Sequence, residues 1–143
     1  MARTTVHRRF ATREALIEAL AASSVLQIEQ AVAASRPRTA PPLVALHQGT
    51  ANLLGVKLAW RFAVTQISPG SPAARIQQRV IAELDLVLQR LQQGGLIRAD
   101  TDLLWARRAY QGLLDAAIGP DETETDPDLL AARIVDTLLH GIG

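Results

Sequence analysis

Between Ser71 and Gly94, the apolar residues Ile76, Val80, Leu84, Val87 and Leu91 recur at steps of four, four, three and four. That spacing keeps one stripe on one side of an α-helix and would scatter it over both faces of a strand. Ser68-Pro69-Gly70-Ser71-Pro72 forms a loop before the stripe, and Gly94-Gly95 ends it where a left-handed cap is wanted. No segment alternates at period two for long. The fold class expected is all-α.

The same punctuation divides the rest of the chain. Thr12 is placed to cap a helix whose residues Leu16, Leu20, Ser24, Ile28 and Val32 repeat at spacing four, and Pro37 closes it. Pro41 and Pro42 suit the first turn of a second helix, on which Leu43, Leu46, His47, Thr50, Leu53 and Leu54 share a face. Gly55 suggests a bend or break before Val56 to Ile67. Asp100 or Thr101 is expected to cap a helix with the face Leu103, Ala106, Tyr110, Leu113 and Ala117, beside a small-residue face of Trp105, Ala109, Gly112 and Ala116. Asp126-Pro127 opens the last helix, which carries Leu130, Ile134 and Leu138 beside Ala131, Val135 and Leu139.

At 143 residues there is room for one domain with a proper core. Hydrophobic residues make up 48% and charged residues 20%, which excludes a disordered chain. No stretch reaches the roughly 20 uninterrupted apolar residues of a membrane span. The absence of cysteine removes disulfide scaffolds, thiol catalysis and thiolate metal sites together. Arg8-Arg9-Phe10 is followed by Arg13, Glu14 and Glu18 instead of an apolar run, so no export signal is read and a cytoplasmic protein is expected.

A net charge of +1 hides an uneven layout. Arg3, Arg8, Arg9 and Arg13 occupy the first thirteen residues with no acid among them, which points to an anionic partner. Asp115, Asp121, Glu122, Glu124, Asp126 and Asp128 follow one another with no base between them and lack the EF-hand ligand order, so a solvated loop is expected there. His7, His47 and His140 lie on separate segments without carboxylates at ligand spacing. No nucleophile–base pair and no phosphate loop can be named. Neither an enzyme, a metal nor a cofactor is expected.

The most specific string is the first sixteen residues. Read as a short helix, a turn and a helix start, it sets Val6 and Phe10 on one side and Thr4, His7 and Arg8 on another, with Thr5 at the border. Thr5-Val6-His7-Arg8-Arg9-Phe10 followed by Arg13-Glu14-Ala15-Leu16 resembles the recognition helix and the next helix of TetR-family transcriptional regulators. His7 stands where that family usually has tyrosine. A long helix ending at Gly94-Gly95-Leu96-Ile97-Arg98, with two more helices after it, is similar to the family's pattern as well.

The resemblance implies a partial helix-turn-helix over 1–12 and a helical ligand-binding and dimerisation domain over 13–143. The family's first two helices have no counterpart here. Met1 is then either an internal methionine of a longer reading frame or the start of a short product. The family's function implies a repressor that binds a DNA operator as a homodimer and is released by a small apolar or aromatic effector. DNA contact falls to Arg3, Thr4, Thr5, His7, Arg8 and Arg13. Effector contact falls to His47, Thr50, Trp60, Phe62, Trp105 and Tyr110. The dimer face is expected from Ala109, Gly112 and Ala116, which permit close approach, with Leu130, Ile134 and Leu138 supplying apolar area. The alternative class is a helical ligand-binding or interaction module that does not bind DNA.

Overall fold

A computed structural model describes residues 12–60, 69–119 and 123–142. Five helices account for most of them: α1 (Arg13–Ala34), α2 (Pro42–Trp60), α3 (Pro72–Gln93), α4 (Leu103–Ala117) and α5 (Pro127–Ile142). No strand occurs among the described residues.

The helix boundaries follow from local chemistry. Thr12 caps α1, its Oγ1 accepting from the Ala15 amide at 3.0 Å, and Ser71 does the same for α3 with the Ala74 amide at 3.2 Å. Pro42, Pro72 and Pro127 each occupy the first helical position of α2, α3 and α5, where a missing amide hydrogen costs nothing. At the end of α3, Gly95 adopts φ +81° and the Leu96 amide donates to the Leu91 carbonyl at 2.9 Å. Only glycine takes that conformation without strain.

Two boundary expectations are corrected. The cap of α4 is Asp102, whose carboxylate accepts from the Leu104 amide at 3.0 Å, in place of Asp100 or Thr101. Gly55 does not interrupt α2; it is exposed, and the helix runs through it. One glycine costs a helix only about 1 kcal/mol, which the packing of the flanking turns outweighs.

Three of the other helices, α1, α3 and α5, pack on α2, and α4 bridges α3 and α5. A helix in that position needs apolar residues on every side. Ala45, Leu46, Ala51, Leu53 and Leu54 meet the need and join Leu88, Leu91, Ile97, Leu130 and Ile134 in one continuous core. A second, smaller cluster of Ala21, Val25, Ala73 and Ile76 lies between α1 and α3.

Helix α1 is long and apolar enough, by length and composition, to cross a bilayer. Here it belongs to the bundle: Ser24 and Val25 are buried, Asn52 Nδ2 donates to the Ala31 carbonyl at 3.0 Å, and Glu29 holds Arg79 of α3. Its first half is more open than the even spacing of Leu16 and Leu20 suggests, with Ile17 and Leu20 both exposed.

Candidate functional site

The four helices α1 to α4 do not close completely on one another. They leave a cavity of about 470 Å³, walled by Val25, Ile28 and Val32 of α1, Leu46, Thr50 and Leu53 of α2, Val80, Leu84 and Val87 of α3, and Tyr110, Leu114 and Ile118 at the α4 end. Three of the five residues of the α3 stripe thus border a hole. Gly49 also lines it; a Cβ there would stand 3.0 Å from Ser35 Oγ, so glycine lets α2 approach the end of α1.

A short hydrogen-bond relay crosses the cavity wall. Thr50 Oγ1 lies 2.6 Å from the Leu46 carbonyl oxygen and 2.6 Å from Tyr110 Oη. The carbonyl only accepts, so the single hydroxyl proton of Thr50 goes to it. Tyr110 is therefore the donor to Thr50, and its phenol oxygen keeps only lone pairs to offer. Burial pushes the Tyr110 phenol up to about 12. The Ser35 hydroxyl is committed in the same way, donating to the Val32 carbonyl at 2.6 Å.

Charged groups sit at the margins of the cavity: Lys57, Glu83 and Asp115, with the amides of Gln77 and Gln111. Glu83 Oε1 accepts from Arg38 Nη2 at 3.1 Å across an exposed pair. Its Oε2 is shielded from solvent and has no hydrogen-bond partner among the described residues. Arg79, one turn before Glu83 on α3, is held by Glu29 at 2.7 and 3.2 Å and does not serve Glu83.

The residues singled out from the sequence distribute unevenly. Thr50 and Tyr110 come together in the cavity wall. His47, half-buried on α2, is not among the lining residues. Trp105 is 62% exposed and off the cavity, which corrects its assignment to the effector site. Five residues at 100° each place it about 140° around α4 from Tyr110. Trp60 ends α2, and its side chain, like Phe62, lies outside the described residues. Arg3, Thr4, Thr5, His7 and Arg8 also lie outside them; Arg13 is exposed at the first turn of α1.

Half of the expected dimer face is corrected as well. Leu130, Ile134 and Leu138 are 0%, 2% and 2% exposed inside their own chain, where α5 packs on α2 and α4. An interface cannot use side chains already spent on the core. Gly112 and Ala116 are exposed and Ala109 half-buried, and with Trp105 they form an outward row on α4. Leu129 of α5 is 57% exposed.

Ser35, Lys57, Gln77, Glu83 and Gln111 were not legible as site residues. Polar residues at stripe edges look like ordinary surface until a cavity opens beside them. No group of three or more His, Asp or Glu residues among the described ones is placed to hold a metal ion.

No family model matches the sequence, and no curated protein matches it significantly. Among solved structures, the fold matches that of PfmR, a TetR family transcriptional regulator from Thermus thermophilus, with a TM-score of 0.77 over 98% of this chain and 82% of that one, at 18% identity. The helical architecture is that of a TetR family regulator.

Proposed function

We propose that the chain is a TetR-type transcriptional regulator, acting as a repressor whose DNA binding is controlled by a small molecule held in the cavity. One observation carries the reading: α1, which begins at Arg13, separated by four residues from the Thr4-to-Arg8 segment in sequence, also supplies Val25, Ile28 and Val32 to the cavity wall. A molecule seated between α1 and the other helices therefore acts on the same rigid element that leads to the DNA-contacting residues. It favours whichever placement of α1 leaves it more room, and the population shifts accordingly.

DNA contact is assigned to Arg3, Thr4, Thr5, His7, Arg8 and Arg13, and effector contact to Thr50 and Tyr110. The reading includes a homodimer paired through the outward row Trp105, Ala109, Gly112 and Ala116 with Leu129 beside it. Exposed aromatic and small residues in a row are the composition that helix pairing uses. Duplexes selected from a random-sequence pool test the whole. The expected result is sequence-selective binding that weakens steeply with salt and is lost in Arg8→Ala. Failure to enrich any sequence, with ligand binding intact, would replace the reading with a helical ligand-binding module.

A further inference from the structure

We propose that the molecule this cavity takes is a lipophilic amine: an apolar body bearing a protonated nitrogen that donates hydrogen bonds. The inference rests on reading the cavity as an effector site and adds the chemical class of the effector.

The placement of protons decides the class. Three hydroxyl groups line the cavity, and each has its one proton engaged within the protein: Ser35 to the Val32 carbonyl, Thr50 to the Leu46 carbonyl, and Tyr110 to Thr50. What remains for a ligand at these positions is lone pairs. Glu83 and Asp115, also lining residues, are acceptors only when ionised. Glu83 Oε2 goes further, since it is withdrawn from water with no donor to meet it among the described residues. Such an oxygen costs free energy until a donor reaches it, and a charged donor satisfies it best. The remaining polar lining comprises Lys57, Gln77 and Gln111. With Arg38 paired to Glu83 Oε1 the charges around the wall balance, so the unmet acceptor Oε2, rather than a net charge, selects a donor head group.

The rest of the wall is aliphatic, which sets the body of the ligand. Val25, Ile28, Val32, Val80, Leu84 and Leu114 offer no polar atom and reward a hydrocarbon surface. Tyr110 adds an aromatic ring able to face a cation.

Calorimetric titration with decylammonium, decanol and decanoate separates head-group preference from tail burial. Decylammonium is expected to bind about tenfold or more tightly than decanoate, with decanol between. Glu83→Gln should bring the three within about threefold of one another while leaving decanol unchanged. Arg38→Ala, which releases Oε1 as well, should tighten decylammonium binding severalfold. Asp100→Asn, on an exposed loop, should preserve the full preference. Decanoate binding more tightly than decylammonium, with that advantage lost in Lys57→Met, would overturn the inference and leave the cavity as an effector site. No binding by any of the three, or binding indifferent to a Leu84→Trp plug, would overturn the effector site and the inference together.

Discussion

The two sides of the cavity are built to different standards. On one side, α2 to α5 share a core of 18 buried residues among those described, including Leu54, Leu88, Leu91 and Leu130 at 0% exposure, and none of the 18 comes from α1. On the other side, α1 meets α3 through Ala21, Val25, Ala73 and Ile76, two of them alanines. Burial stabilises in proportion to apolar area, so the body is the more rigid part and the α1 seam has less to lose by moving. The proposed effector response needs that inequality: one wall to define the ligand and one wall to respond to it.

Substitutions on either wall attack the difference directly. Leu88→Ala, fully buried in the body, is expected to cost about 2–5 kcal/mol by chemical denaturation. Next in size is a pH effect on the fixed wall. A phenol whose pKa is raised by folding contributes stability that is complete below its ordinary value of 10.0 and is lost as pH climbs towards about 12. The loss at Tyr110 is on the order of 2–3 kcal/mol, measured as the extra fall in the urea midpoint relative to Tyr110→Phe over that range. Val25→Ala in the seam should cost about 1.5 kcal/mol, and should alter hydrogen exchange in α1 before it alters exchange in α2 or α4. A cost equal to that of Leu88→Ala would abolish the distinction between the two walls. Arg79→Ala should change the melting temperature least of all. The Arg79 guanidinium holds the Glu29 carboxyl below its usual range through a hydrogen bond, but both groups are largely in solvent. The small contribution that does exist is present above the usual carboxylate pKa and fades as pH falls, which a melt at acid pH would register.

The sequence carried the helices well because caps and stripes are local. Thr12, Ser71, Gly95 and Pro127 act within a turn of where they stand, and the Ile76-to-Leu91 stripe names a face without reference to any neighbour. Local signals do not say which partner covers a face. The double stripe on α5 looked wide enough for a core and a dimer, yet α2 and α4 cover Leu130, Ile134 and Leu138 between them. The cavity was hidden for a related reason. Val80, Leu84 and Val87, which border empty space, have the same spacing and chemistry as Leu91, which is buried in the core away from it. Thr50 and Tyr110 were legible because polar groups on apolar faces stand out. Glu83 was not, since a carboxylate near a helix surface has no distinguishing pattern.

The chain just beyond α1 is tied down. Arg36 is held at φ +54°, a conformation that L-residues seldom adopt, and the carbonyl of the following Pro37 accepts from Arg90 Nη1 of α3 at 2.6 Å. Under the proposed effector response, α1 anchored there would act as a lever whose fulcrum lies at its far end. Its 22 residues give an arm of about 33 Å. A rotation of about 5° about that point carries the opposite tip by about 3 Å, while the residues nearest the fulcrum hardly stir.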